Sequence, residues 1–333
     1  MQDLVILLPL SISSFSMRRF ITKLLLYAGI LFLIFAIADY FLSNYLRKSN
    51  VIEFQAWNGI YNQNLDNDVI IMGSSRAFVQ FNPRIIDSVL HVNSYNLGYN
   101  GSLVNRQIER YYAYCRIQKH EPQTIIYSID YGTLSGISTN FEREQFYPYF
   151  FYDRDLMRQF DKYQHFSLME KYIPFWRYCS CFFDFHVYDV FTNPEEKEIF
   201  YKGFKNERMQ WDASVLLATA EQDYHCNDQA LQIFNDFIED VSSKGRNVIF
   251  VYSPAYKEFL NKFRHLDRMY QIFADIAKRH NIPVLDYTKD SICNDTSFFY
   301  NATHLNKVGA DIFSLQVSKD IDNLKLLSRL KDN

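Results

Sequence analysis

The sequence predicts an α/β fold of three layers, in which helices cover both faces of a parallel sheet of about five strands. Short apolar runs alternate with segments in which apolar residues recur at helical spacing. The first three of these runs each end on Gly, Ser or Asp. The alternation stops near residue 132 and resumes near residue 227. Such alternation is typical of parallel strands joined by crossover helices. We therefore expect a functional site at the carboxyl ends of the strands.

Five strands are predicted, because each is an apolar run bounded by polar or turn residues. They cover residues 68–72, 92–97, 124–130, 247–252 and 283–287. Helices are expected where apolar residues recur at helical spacing, over residues 83–90, 103–119, 230–241, 256–280 and 307–327. These elements assign residues 67–131 and 227–325 to one α/β domain.

An apolar run of nineteen residues, from Leu24 to Leu42, contains Asp39 as its only charge. It is long enough to cross a bilayer core of about 30 Å. Three basic residues precede the run and two follow it, which favours a cytoplasmic amino end. The alternative is a cleaved signal peptide, but no small-x-small site follows the run. We predict a signal anchor over residues 17–45 that holds the chain in the inner (cytoplasmic) membrane as a single-pass protein, with its main domain outside the cytoplasm.

The segments on either side of the anchor have different compositions. Residues 1–16 are apolar and broken by Pro9, and Met17 opens the basic start of the anchor. We interpret residues 1–16 as a mis-assigned start or a cytoplasmic tail, with translation beginning at Met17. Residues 46–66 are polar and mixed, which suits a stalk.

Residues 132–226 interrupt the α/β pattern and form an insertion. Within it, residues 141–152 hold seven aromatic side chains. One interpretation is a lid or platform for an acyl chain, a sugar or the membrane surface. The other is a small, mainly helical subdomain with an aromatic core, and the composition leaves both open.

Composition excludes several classes of function. The formal net charge of −3 gives no support to a nucleic-acid partner. The chain lacks the Gly-x-Gly-x-x-Gly and Gly-x-x-x-x-Gly-Lys-Ser/Thr patterns, which bind nucleotide phosphates. Its five cysteines match neither a small disulfide framework nor a paired zinc motif. We assign no metal and no cofactor.

The first strand ends on Gly73, Ser74 and Ser75, where we expect a serine nucleophile at Ser75. The alternative is that these serines only cap the next helix. A serine nucleophile needs a base, and His304 lies in the loop that precedes the last predicted helix. A solvated or capping role for His304 is the alternative.

Three motifs resemble those of the SGNH (GDSL-type) hydrolase superfamily: Gly73-Ser-Ser75, the segment NLGYNG over residues 96–101, and the segment NATHLN over residues 301–306. The chain is particularly similar to the membrane-anchored, extracytoplasmic branch that moves acyl groups on envelope polymers, which includes the D-alanyl transfer protein of teichoic acid modification. The resemblance covers residues 67–131 and 227–325. It implies a flavodoxin-like three-layer α/β/α fold.

The resemblance also implies roles for single residues. Ser75 would be the nucleophile, His304 the base, and the backbone N–H groups of Ser75 and Gly101 the oxyanion donors. Completion by water would make an esterase, and completion by a sugar hydroxyl an O-acyltransferase. The substrate-binding candidates beside these motifs are Ser74, Arg76, Asn100, Asp130 and Tyr131. The implied partners are acylated polysaccharide or peptidoglycan, the lipid bilayer through the N-terminal helix, and a membrane-bound acyltransferase.

The chain departs from the family pattern at two places. Its third strand ends Ser-Ile-Asp-Tyr-Gly over residues 128–132, without the asparagine that the family supplies to the oxyanion hole. Asn301 stands where the family has an aspartate, three residues before His304. Three arrangements around the histidine stay open. Either Asn301 orients it, or Ser75 and His304 act as a dyad without a third group, or a carboxylate comes from Asp286 or Asp295.

These departures leave two functional hypotheses. The first is an anchored esterase or O-acyltransferase that acts on envelope polysaccharide through Ser75 and His304. The second is a related protein that binds polysaccharide or an acyltransferase without turnover. A flavodoxin-like binding domain unrelated to hydrolysis is a further alternative.

Overall fold

Five parallel strands form the central sheet, as predicted. The computed structural model describes residues 14–49, 52–61, 65–139, 143–164, 166–179 and 200–327. The strands are β1 (Val69–Met72), β2 (Ser94–Asn96), β3 (Thr124–Ile129), β4 (Asn247–Tyr252) and β5 (Val284–Asp286). Their order across the sheet is β2-β1-β3-β4-β5, and every pair is parallel. In such a doubly wound sheet, ligands bind where the strand order reverses, which is between β1 and β3 here.

Helices precede, join and follow these strands. In chain order they are α1 (Ser14–Leu46), α2 (Ile52–Tyr61), α3 (Ser75–Gln80), α4 (Pro83–Leu90), α5 (Val104–Gln118), α6 (Arg154–Gln164), α7 (Leu168–Tyr172), α8 (Trp176–Cys179), α9 (Ser214–Ala218), α10 (Asp228–Ser243), α11 (Lys257–Leu260), α12 (Asp267–His280) and α13 (Lys307–Asn323). Short 3₁₀ turns cover Arg143–Tyr149, Ser291–Asn294 and Thr296–Phe298.

The two faces of the sheet bury different apolar clusters. Successive strand residues point to opposite faces, so Ile70 and Met72 of β1 enter one cluster while Val69 and Ile71 enter the other. The first cluster includes apolar residues of α2, α5, α10 and α12, and the second includes those of α4 and α13. This is the predicted three-layer arrangement.

The single helix predicted over residues 256–280 is wrong. The chain forms α11, a two-residue strand at Phe263–Arg264, and then α12. That strand pairs in parallel with Gln222–Asp223, and His265 has a positive φ of 58°, which ends any continuous helix. The apolar residues of Asp267–His280 do recur at helical spacing, but strand pairing between distant segments competes with helix formation before them.

One helix among the described residues, Met17–Leu46 within α1, is long and apolar enough to cross a membrane. A membrane anchor and a signal sequence both fit such a helix. Residues 1–13, which contain most of the predicted mis-assigned start, lie outside the described residues.

The segment predicted as a stalk is partly folded into the domain. Its helix α2 buries Phe54, Trp57 and Ile60, each at most 2% exposed. Trp57 donates from its indole N–H to Gln145 Oε1 at 2.6 Å, and its ring packs edge-on against Phe146. The apolar residues of α2 therefore pack in the hydrophobic core, and this part of residues 46–66 is not an extended stalk.

The described part of the insertion packs against α1, α2 and α5 through its aromatic residues. Phe146, Tyr147, Tyr149 and Phe150 are buried, whereas Tyr152 is 64% exposed. An aromatic core therefore accounts for most of the predicted aromatic segment, although Phe141 lies outside the described residues. Farther along, the hairpin Phe200–Tyr201 and Phe204–Lys205 lies beside the edge strand β2, where Asn96 N donates to Lys202 O at 2.9 Å.

Candidate active site

Ser75 is the first residue of α3, directly after the carboxyl end of β1. Gly73 makes the turn with a φ of 147°, in a region that side chains other than glycine rarely adopt. A Cβ on Gly73 would lie 2.8 Å from Ala77 Cβ and 2.9 Å from Ser128 O. Ser74 is the N-cap, and its hydroxyl accepts from Arg76 N at 3.3 Å. The capping role considered for both serines thus belongs to Ser74, which leaves the Ser75 hydroxyl available.

His304 lies beside Ser75 although 229 residues separate them in the chain. The distance from His304 Nε2 to Ser75 Oγ is 2.7 Å, which is a hydrogen bond. The strand Phe299–Asn301 pairs with His304–Leu305 in an antiparallel turn just before α13. Both side chains are half-buried. The arrangement meets the geometric requirement for a nucleophile and its base.

Asn301 accepts a hydrogen bond from the second ring nitrogen of His304, with Oδ1 3.0 Å from Nδ1. The orientation of its amide is fixed, because the same Oδ1 accepts from the backbone N–H groups of Thr303 at 3.0 Å and His304 at 3.1 Å. An oxygen that faces Nδ1 requires the proton to be on Nδ1. The lone pair of Nε2 then points at Ser75, as a general base needs.

Thr303 is a contributor that the sequence reasoning missed. Its hydroxyl lies 2.9 Å from His304 Nδ1 and 3.0 Å from Asn301 Oδ1. When the hydroxyl donates to Asn301, it can only accept from Nδ1–H, so it supports the same tautomer. Its position directly before the histidine is the only signal that the sequence offered.

Tyr300 stacks on the imidazole of His304 with ring centroids 5.3 Å apart and an interplanar angle of 5°.

Two basic side chains, Arg76 and Lys205, act on this histidine, and Lys205 is paired with Glu207 at 2.8 Å. Desolvation, together with the charges of Arg76 and Lys205, lowers the pKa of His304 to about 3. Lys205 comes from the insertion, and Arg76 is buried directly after Ser75, where it donates to Ser253 O. The base is therefore neutral near pH 7. The same charges favour a developing oxyanion and disfavour an imidazolium, whose hydrogen-bond partners in the described part of the chain include no carboxylate.

Three predicted substrate-binding residues have structural contacts of their own. Ser74 donates to Asp130 Oδ2, and Asp130 also accepts from Gly132 N at 2.8 Å. Tyr131 packs between Phe259 and Phe263, with centroid distances of 5.2 Å and 4.5 Å. Asp130 therefore ties the turn after β3 to the Ser74–Ser75 turn, which positions the nucleophile.

The predicted oxyanion residue Gly101 lies with Asn100 in an exposed turn. Gly101 has a φ of 63°, which favours glycine. Ser102, the next residue, donates to Tyr99 O at 2.8 Å and approaches Gly73 O at 3.4 Å. The turn is thus linked to the turn that carries Ser75, and the donor role of Gly101 remains a prediction.

The two alternative acids make their contacts elsewhere. Asp286 accepts from Thr288 through its N–H at 2.9 Å and its hydroxyl at 2.7 Å. Asp295 caps the 3₁₀ turn at Thr296–Phe298 and accepts from Ser297 N at 2.9 Å. Neither is brought to His304, whose Nδ1 instead contacts Asn301 and Thr303.

The chain is similar to solved structures at 12% sequence identity. One is described as a lipolytic protein of the G-D-S-L family from Desulfitobacterium hafniense, with a TM-score of 0.39 over 75% of this chain and 97% of that one. The lipase/acylhydrolase from Enterococcus faecalis gives 0.39 over 77% and 95%. A protein described as an acylhydrolase from Bacteroides fragilis gives 0.40 over 83% and 97%. No protein-family model and no curated protein matches the sequence.

Proposed function

We propose that the protein is a membrane-anchored serine esterase or O-acyltransferase that acts on acyl groups of cell-envelope polysaccharide or peptidoglycan. The observation that carries the proposal is the 2.7 Å contact between Ser75 Oγ and His304 Nε2, with Asn301 on the opposite ring nitrogen. A hydroxyl, a neutral base hydrogen-bonded to it and a third group that orients the base are the components of acyl transfer by a serine. The polymer class rests on the resemblance to the envelope branch of the SGNH superfamily.

In the proposed mechanism, His304 Nε2 takes the proton of the Ser75 hydroxyl while Oγ attacks the ester carbonyl. The N–H groups of Ser75 and Gly101 hold the oxyanion, and the nearby charges of Arg76 and Lys205 add to its stabilisation. His304 then gives its proton to the departing alcohol, which leaves an acyl group on Ser75. Water releases this group as an acid, or a sugar hydroxyl takes it as a new ester.

The proposed location is the inner membrane, with α1 retained as a single-pass anchor and the domain outside the cytoplasm. The contacts of Asp39 support retention, because Nη2 of Arg177, a residue of the insertion, donates to its Oδ1 at 2.6 Å. The end of α1 is therefore an integral part of the folded domain. A membrane-bound acyltransferase that supplies the acyl group is the proposed partner.

A fluorophosphonate probe tests the proposed enzyme. We expect the purified full-length chain to be labelled, and Ser75→Ala and His304→Ala to abolish labelling. Ser243→Ala is the matched control, because Ser243 is an exposed serine at the end of α10 that donates only to Asp240 O, at 2.8 Å. A folded protein that takes up no label overturns the proposal.

The second candidate function is binding of polysaccharide or an acyltransferase without turnover. Asn301 in place of a carboxylate favours it, since the imidazolium formed during attack lacks a charged partner. Retained affinity for envelope polysaccharide in a folded, unlabelled Ser75→Ala protein, together with absence of labelling in the wild type, would identify this function.

A further inference from the structure

The insertion contacts α1 inside its apolar run, and this contact fixes its depth relative to a membrane. Phe175 stacks on Phe35 with ring centroids 6.4 Å apart. Phe35 lies seven residues before Leu42, the outer end of the apolar run. At 1.5 Å per residue, that places the Phe35–Phe175 contact about 10 Å inside the outer end of the run. If α1 spans the bilayer, Phe175 must lie within the outer leaflet.

The polar contacts beside this stack are those expected in a low-dielectric setting. Arg177 and Asp39 are 0% and 5% exposed, and their charges pair directly. Phe175 N donates to Asp39 Oδ2 at 2.6 Å, and Ser43 Oγ donates to Asp39 Oδ1 at 3.1 Å. A carboxylate at the edge of the hydrocarbon is costly unless it is paired and hydrogen-bonded in this way.

The segment Phe166–Cys179 exposes no charged side chain. Its exposed side chains are Ser167, Leu168, Met169, Tyr172, Trp176 and Cys179. Its charged residues are buried or paired: Glu170 is 6% exposed, and Lys171, whose side chain is 27% exposed, pairs with Asp161 at 2.6 Å. Four large apolar or aromatic side chains, which are 72%, 52%, 70% and 48% exposed, form what we call the apolar face: Leu168, Met169, Tyr172 and Trp176.

We propose that the apolar face lies in the outer leaflet of the bilayer beside α1, so that the segment Phe166–Cys179 is a second, interfacial membrane contact of this chain. The occupant is lipid because Trp176 of this face directly follows Phe175, whose depth the stack on Phe35 sets, and because α1 itself exposes large apolar side chains along its apolar run. Tyr and Trp prefer the level of the lipid headgroups, which suits Tyr172 and Trp176. The inference rests on the proposed anchoring of α1.

Quenching of tryptophan fluorescence by brominated phosphatidylcholine tests this proposal in the full-length chain reconstituted into lipid nanodiscs. Trp57 is buried in the core, and Trp211 packs on Tyr256 in the second cluster, so only Trp176 should meet the bromines. We expect quenching in the wild type, its loss in Trp176→Phe, and its retention in the matched Trp211→Phe variant. Replacing Leu168, Met169 and Tyr172 by serine should reduce the quenching of Trp176.

Flotation of the same protein with vesicles after an alkaline wash separates the two proposals. If the chain floats but brominated lipid does not quench Trp176, the interfacial contact is overturned while the anchor stands, and the apolar face is left for a protein partner. If the chain does not float, the anchor itself is overturned. Equal quenching of wild type and Trp176→Phe also overturns the interfacial contact.

Discussion

Asn301 Oδ1 lies 3.0 Å from His304 Nδ1 and accepts two backbone N–H groups at the same time. A carboxylate at this position would keep those contacts and add a full negative charge. We expect Asn301→Asp to raise the rate of hydrolysis of a model acetyl ester by about tenfold to a hundredfold. The change is smaller than the ~10⁴-fold effect in the serine-protease template, because Asn301 already selects the productive tautomer.

Asn301→Ala is the control for this variant and should lower the rate, since it removes the acceptor at Nδ1. An unchanged or lower rate in Asn301→Asp would show that a charge here does not assist proton transfer. Initial rates under saturating ester, measured for all three proteins, give the comparison.

Thr303→Val should lower turnover of the same ester about three- to tenfold, with little change in KM. The substitution keeps the shape of the side chain but removes the hydroxyl 2.9 Å from His304 Nδ1, and one neutral hydrogen bond is worth about 1 kcal/mol. Thr303→Ser retains the hydroxyl and should restore the rate. A fall in Thr303→Ser equal to that in Thr303→Val would assign the effect to packing instead.

The rate of fluorophosphonate labelling should stay nearly constant from pH 8 down to pH 5. The pKa of His304 is lowered to about 3, so the base remains neutral through this range. A histidine with its ordinary pKa of about 6.5 would lose activity about tenfold per pH unit below that value. In Asn301→Asp the added carboxylate raises the pKa, so its acid limb should move toward neutral pH. A wild-type limb near pH 6.5 would contradict this account.

The free energy of unfolding should also depend on the protonation of His304. Between about pH 3 and 6.5 the unfolded chain binds a proton at His304 that the folded protein does not, so the free energy of unfolding rises with pH across this window and levels off above it. His304→Gln should flatten this part of the profile. Chemical unfolding in detergent micelles at several pH values measures it.

Gly73→Ala should abolish labelling of Ser75 and destabilise the protein. The added Cβ would meet Ala77 Cβ at 2.8 Å and Ser128 O at 2.9 Å, at a φ of 147° that alanine rarely adopts. Gly136→Ala is the control, because its Cβ would meet Leu103 Cδ1 at an ordinary 3.7 Å. Wild-type labelling of Gly73→Ala would mean that the turn is less constrained than its contacts indicate.

Asp39→Ala should lower the free energy of unfolding in detergent by about 3–5 kcal/mol, since it leaves Arg177 buried without its partner. The double variant Asp39→Leu, Arg177→Met removes both charges and should recover most of the loss. The control is Asp155→Ala, whose pair with Arg158 is exposed and should contribute little. A double variant as unstable as Asp39→Ala would show that the hydrogen bonds around the pair matter more than its charge.

The strands and the position of Ser75 could be predicted because they depend on local signals. A buried parallel strand is an apolar run, and the glycine after β1 marks the turn that follows it. The proximity of His304 could be expected from its place in the loop before the last helix and from the resemblance, but no local pattern links residues 229 positions apart.

The features that were missed depend on tertiary contacts. The break between α11 and α12 follows from pairing of Phe263–Arg264 with Gln222–Asp223, 41 residues earlier, which helical spacing cannot show. The burial of Trp57 and the pairing of Asp39 with Arg177 both involve the insertion, whose aromatic composition gave no orientation. Thr303 was overlooked because a threonine beside a histidine carries no distinctive pattern.

The separation of Asp39 and Arg177 by 138 residues has a consequence for the order of folding. At 5–20 residues per second, a ribosome makes Asp39 roughly seven to thirty seconds before Arg177 exists. During that interval the carboxylate at the end of α1 has to be stabilised by water. The pair of Asp39 with Arg177 can therefore form only after the segments that carry β1, β2 and β3 have been made. An isolated α1 peptide would lack this partner altogether.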